Sequence, residues 1–241
     1  MVQIVEILGR SEQGVTRPFI CRGDDDNTYF VKGVGAGRRS QVCEWVAGRL
    51  AQELHMPVAP FAIVEVPVEL AEADPAYRDL GAGPAFGSLK QTIMELNYAM
   101  VSDVAVELQR SVLAFDWWIR NNDRMLSESG GNPNLFWEPE EERLVIIDHN
   151  QAFDPKFSYK DLLEYHVFRS VGHELFDHRL LREEYREPFC RALKKWHDIC
   201  QKIPEEWHYQ DPEMTVEADY DLDAMFAMLN LCTTDAPWGH S

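Results

Sequence analysis

The chain is short of positive charge. Its 241 residues hold 23 Lys and Arg against 41 Asp and Glu, a formal net charge of −18. So acidic a surface opposes sustained contact with DNA, RNA or anionic lipid through long-range repulsion, which predicts protein or small-molecule partners. Cysteine pairing is lacking too: Cys21, Cys43, Cys190, Cys200 and Cys232 are an odd set without a C-x-x-C pair or zinc-ligand spacing. That predicts reduced thiols in a cytoplasmic chain. No apolar run approaches membrane-spanning length, and the opening MVQIVEILGR is too short and too regularly interrupted by polar residues for a signal peptide. Internal repeats and low-complexity tracts are also missing. What is there is 45% hydrophobic and 11% aromatic residues, enough for a substantial core in one large domain or in two lobes.

Strand patterns come first along the chain. Val2 to Leu8 predicts a strand, Gly9 to Thr16 a turn containing Gly9, Ser11, Gly14 and Thr16, and Pro18 to Arg22 a second strand. After the polar turn Gly23 to Asn27, Tyr29-Phe-Val-Lys32 begins a third, giving an antiparallel meander. A Gly- and Ser-containing first turn is able to lie over phosphates and donate backbone N–H groups, although two glycines near a hairpin more often mean only a hairpin. A flexible Gly33-Val-Gly-Ala-Gly37 precedes a helical stripe over Ser40 to Glu53. Lys32 is either a solvated strand-edge residue or a buried cation; in the second case Glu44, early in the helix, is its expected partner. Phe61 to Val66 predicts a strand, Leu70 to Gly83 a surface excursion, and Phe86 to Glu95 another strand. From Val101 onward helical spacing takes over, through Ile119 and then in Leu162 to Val171, Arg182 to Ile203 and Asp221 to Leu231. Strands first and helices afterwards predict an α+β fold, with a boundary near residues 96–100 separating 1–98 from 99–241.

Most of the chemistry lies between Phe115 and Asp154. An aromatic helical run there enters a polar loop carrying Asp123 and then Asn132 and Asn134, and a short apolar strand follows and delivers Asp148. That order outlines a phosphoryl-transfer site, which needs a carboxylate to position or deprotonate the acceptor and hard oxygen ligands for magnesium beside nucleotide phosphates. Each piece alone has a plainer reading: Asn-Asp-Arg as a helix-ending turn, Ile-Ile-Asp-His as a strand entering a capped loop. His149 and His166 read as ordinary hydrogen-bonded imidazoles, Arg124 as a neutraliser of Asp123 or of the acidic surface, and Trp117 and Trp118 as core.

Tyr29-Phe-Val-Lys32-Gly, the Glu44 helix, Met56-Pro-Val-Ala-Pro60, Asn122-Asp123-Arg124, Asn132-Pro-Asn134-Leu-Phe and Ile146-Ile-Asp148-His, in this order, resemble the HipA-like kinase family over roughly residues 8–180. The resemblance implies a two-lobed, protein-kinase-like fold that binds ATP and magnesium and transfers phosphate. It implies Asp123 as catalytic aspartate, Asn134 or alternatively Asn132 as metal-binding asparagine, Asp148 as metal-binding aspartate and Lys32 as the phosphate-pairing lysine. The sequence departs from the family in a longer spacer, Met125 to Gly131, in Asn150 where relatives carry glycine, and in lacking the basic surface of a DNA-bound toxin. The combined reading is an ATP- and magnesium-dependent phosphotransferase acting on a serine or threonine hydroxyl of a protein. A nucleotide-binding pseudokinase, an interaction module for a basic partner and a small-molecule kinase are the alternatives.

Overall fold

A computed structural model describes residues 1–12 and 17–234. It is a mixed α+β structure whose chain divides into two compact units, one comprising Met1–Trp45, Ala59–Thr92 and Lys202–Tyr220, the other Val46–Val58, Ile93–Gln201 and Asp221–Ser241.

The first unit is built on a closed five-stranded barrel of β1 (Val2–Arg10), β2 (Phe19–Gly23), β3 (Thr28–Lys32), β4 (Phe61–Val66) and β5 (Gly83–Leu89), ordered β1-β2-β3-β5-β4. The expected meander is the run β1 to β3, paired antiparallel. Closure comes from a parallel pairing of Val2 with Val64 and Gln3 with Glu65, which local sequence does not announce. Two register shifts in β1 give the extra twist that bending a sheet into a barrel requires. Strand alternation turns Phe19, Cys21, Tyr29, Val31, Val64 and Val66 into the interior. Helix α1 (Arg38–Glu53) follows β3.

Three expectations need correction here. The glycines of 33–37 do not form a loose linker: a 3-10 turn spans Val34–Ala36, and a Cβ at Gly33 would stand 2.0 Å from the Leu80 carbonyl oxygen and one at Gly35 2.7 Å from Asp79 Cβ. Close approach of two backbones is why glycine stands there. The excursion of residues 70–83 is partly ordered, with helix α2 (Val68–Ala71), a 3-10 turn at Pro75–Tyr77 capped by Asp74, and Leu80 buried in the barrel core. The expected strand 86–95 is two strands: β5 ends at Leu89, and β6 (Met94–Glu95) pairs in a different sheet.

The second unit contains the three-stranded sheet β10-β9-β6, formed with β9 (Leu135–Glu138) and β10 (Arg143–Ile146), and a separate hairpin of β7 (Met125–Ser127) and β8 (Gly130–Asn132). Its helices are α3 (Val106–Trp118), α4 (Tyr159–Tyr165), α5 (Gly172–Asp177), α6 (Arg179–Leu193), α7 (Trp196–Cys200) and α8 (Leu222–Asn230). The predicted helix 182–203 is therefore interrupted between Leu193 and Trp196, and α5 and the β7–β8 hairpin had no counterpart in the sequence reading. The tryptophan pair is core: Trp118 stacks on Phe189 with ring centroids 4.4 Å apart and donates to the Leu229 carbonyl, while Trp117 meets Phe176. All five cysteines are unbridged. Among the described residues no helix is long and apolar enough to cross a membrane.

Candidate functional site

Lys32 ends β3, one residue beyond Val31, and pleating sends the two side chains to opposite faces. Val31 enters the barrel core, and Lys32 meets α1. There its Nζ donates to Glu44 Oε1 at 2.5 Å, with both side chains under 10% exposed. In β5 Phe86 is paired with Lys32 across the ladder, and Phe86, Phe61 and Trp45 form a run of contacting rings. A buried ammonium needs such a carboxylate, because unpaired burial of either charge is strongly unfavourable. The backbone at Lys32 is held as well: the fully buried Gln41 donates from Nε2 to the Lys32 carbonyl at 2.7 Å and accepts from Arg38, which also donates to the Tyr209 carbonyl.

The second unit presents the polar loops. Helix α3 ends at Trp118, and Asn121, Asn122 and Asp123 follow without regular structure. The spacer after Arg124 folds back on itself as β7 and β8, pairing Met125 with Asn132, and so returns the chain to where it left. Asn134 then reaches Asp123, its Nδ2 donating to the Asp123 carbonyl at 3.1 Å and to Asp123 Oδ2 at 3.4 Å. Asn132 is exposed and turns inward on its own loop, its Oδ1 accepting from the Asn134 N–H. Asp148 comes two residues after β10, and its Oδ1 accepts from the Asn150 N–H at 3.2 Å. Asn134 (φ 51°) and Asp148 (φ 58°) both lie in the left-handed region, where a non-glycine residue persists only when its surroundings hold it. Asn150, which stands where relatives carry glycine, is not among the left-handed residues, whereas Asp148 is.

One buried ion pair organises these loops, and the sequence did not reveal it. Arg124, expected beside Asp123 or the acidic surface, is 1% exposed and pairs with Asp116 of α3, Nε to Oδ2 at 2.7 Å. Its Nη1 donates to the carbonyls of Pro133 (3.2 Å), Asn134 (2.9 Å) and Ile147 (3.2 Å). Asp116 also takes a hydrogen bond from Asn121 Nδ2 at 2.9 Å, and Asn121 Oδ1 accepts the Asp123 N–H. His166 completes the set. Its Nδ1 accepts from the Phe168 N–H, which places the proton on Nε2, 2.9 Å from Asp116 Oδ2. Burial works to raise the Asp116 carboxyl, but the Arg124 charge and the bond from His166 outweigh it and hold the group well below the usual carboxylate range. Burial pushes His166 down, so the imidazole is neutral. An aspartate within the apolar run Phe115-Asp-Trp-Trp118 was the available signal, since a charge there is buried only with a partner.

Of the other sequence-derived candidates, Gly9 pairs with Ile20 in the barrel ladder and Ser11 donates its N–H to the Pro18 carbonyl. Gly14 and Thr16 lie outside the described residues. Among the described residues no three His, Cys, Asp or Glu side chains cluster as a metal site. Magnesium does not require one, because it is commonly bound by one or two protein oxygens together with substrate phosphates and water. Asp148 offers a carboxylate, and with its nitrogen turned to Asp123 the Asn134 amide offers Oδ1, so the donor chemistry fits that ion.

A family model described as HipA-like kinase matches residues 4–241. No curated protein matches the chain.

Proposed function

Since the chain belongs to the HipA-like kinase family and is thereby a kinase-type phosphotransferase, we propose that it transfers phosphate from ATP, with magnesium, to a serine or threonine hydroxyl of a protein. The observation that carries this reading is the meeting of Asn134 with Asp123 on loops that the Arg124 guanidinium ties to the segment entering Asp148. The reading takes the fold as the two-lobed, kinase-like arrangement, with the nucleotide-binding lysine in the barrel unit and the reacting carboxylate in the helical unit.

Each residue then has a task. Lys32, its charge fixed by Glu44, binds the α- and β-phosphates. Asn134, preferred to Asn132 because its side chain rather than its backbone meets Asp123, supplies a metal-binding oxygen together with Asp148. Asp123 orients the incoming hydroxyl and accepts its proton late in the transfer. Magnesium, held by Asn134 and Asp148, would supply charge neutralisation at the phosphates. The segment from Gly9 to Thr16 is the one assigned to phosphate covering, with Gly9 at the end of β1 and Ser11 just after it.

The inserted hairpin supports a second reading, a nucleotide-binding pseudokinase, but it closes on itself and so does not part Asn134 from Asp123. The test is acid hydrolysis of protein labelled by the chain from γ-labelled ATP in a cell extract. Phosphoserine or phosphothreonine is expected. Label found only in low-molecular-weight cationic compounds contradicts a protein acceptor, and nucleotide binding with no transfer to any acceptor favours the pseudokinase.

A further inference from the structure

The buried ion pair beneath the loops joins both sides of the proposed site. Asp116 reaches Asp123 through Asn121, whose two amide atoms bond the carboxylate and the Asp123 N–H. It reaches the other side through Arg124, whose Nη1 gathers the carbonyls of Pro133, Asn134 and Ile147. These carbonyls flank or belong to the two left-handed residues, Asn134 and Asp148. The Asn134 carbonyl also accepts the Ile147 N–H at 3.0 Å, and several carbonyl dipoles converge on one spot where a cationic donor is favoured. Guanidinium is suited to this, because its rigid fork serves a carboxylate with one edge and the carbonyls with the other, whereas an ammonium offers three donors from a single point. The Arg124 side chain is fully enclosed, so it acts on the reaction only through the residues it holds.

We infer that Arg124, locked by Asp116, is a positioning residue that sets the alignment of Asn134 and Asp148 against Asp123, and with it the magnesium-dependent part of nucleotide affinity. The inference rests on the phosphotransferase reading above. Lys32 and Glu44 bond each other in the barrel unit, and Arg124 holds the loops of Asn134 and Asp148; nucleotide affinity in the absence of metal is expected not to depend on Arg124.

The experiment uses the full chain and ADP, titrated calorimetrically with excess magnesium and again with chelator, for the unaltered protein, for Arg124→Lys, and for a double variant, Asp116→Leu with Arg124→Met. The double variant replaces the pair by apolar groups and so keeps the test open should the lysine variant misfold. Circular dichroism and thermal midpoint establish folding. The expected result is that magnesium strengthens ADP binding to the unaltered protein, and that this strengthening falls at least tenfold in whichever variants fold, while affinity in chelator stays within about twofold. Phosphate transfer falls in kcat more than KM rises. Folded variants that respond to magnesium as the unaltered protein does overturn the inference and leave the phosphotransferase reading standing. An unaltered protein whose ADP affinity ignores magnesium overturns both.

Discussion

At the scale of single residues, two buried charge systems carry testable consequences. Lys32 and Glu44 are both almost fully enclosed, so removing one breaks a buried pair at about 3–5 kcal/mol, whereas replacing both with apolar groups of similar volume is close to neutral. Lys32→Met and Glu44→Leu are each expected to lower the denaturation midpoint strongly, and the double variant to recover it while remaining inactive in phosphate transfer. Activity in a stable double variant contradicts the role given to Lys32. The Asp116, Arg124 and His166 group predicts a pH dependence. The folded-state pKa of His166 is depressed by burial, so below about pH 6.5 the unfolded chain takes up a proton that the folded chain refuses, and stability falls with falling pH until the lowered folded value is passed. Asp116, also depressed, contributes stability above about pH 3.9 that is lost only in stronger acid. Denaturant midpoints between pH 5 and 8 are therefore expected to slope less in His166→Asn than in the unaltered protein, and an equal slope assigns the effect elsewhere. The Lys32–Glu44 pairing was legible in the sequence because a lysine closing an apolar strand precedes a helix with a carboxylate in its first turns. The bonding of Asp116 to Arg124, His166 and Asn121 was not, because those residues come from α3, the loop after it and the end of α4, and only tertiary contact brings them together.

At the scale of elements, the sequence showed period and lost connection. Strands β1 to β4 alternate or run apolar between polar turns, and α1 and α3 carry apolar stripes, so they were legible. The hairpin β7–β8 has two glycines in three residues and no apolar alternation, and tertiary anchoring maintains it: Arg169 donates to the Leu126 carbonyl and the Val167 N–H to that of Arg124. Gly131 permits the return, its φ being 151° and a Cβ there standing 2.4 Å from the Met125 carbonyl oxygen. Gly131→Ala is expected to cost about 1–3 kcal/mol of stability and to slow transfer by disturbing the approach of Asn134 to Asp123. A variant with unchanged midpoint and rate means that the hairpin does not hold that approach. Gly33→Ala tests the barrel unit, where added volume against the Leu80 backbone is expected to destabilise by about 1–3 kcal/mol, read from chemical denaturation.

At the scale of the whole molecule, the excess of acidic residues and the α+β architecture were legible from composition and element order, whereas barrel closure through a parallel β1–β4 pairing was not, because the partners lie some sixty residues apart and each strand pattern is silent on its neighbour. A net charge of −18 destabilises a compact state by self-repulsion that salt screens. The denaturation midpoint is therefore expected to rise between about 0.02 and 0.3 M sodium chloride, over which the Debye length contracts to below about 10 Å. A falling midpoint gives stability instead to surface ion pairs such as Arg110 with Glu174. The reaction itself is followed as phosphate from γ-labelled ATP, with magnesium, onto the chain and onto cell-extract protein, for the unaltered chain and for Asp148→Asn. Label that depends on the unaltered Asp148, with both proteins folded, is the predicted result; equal transfer by the folded variant contradicts the site.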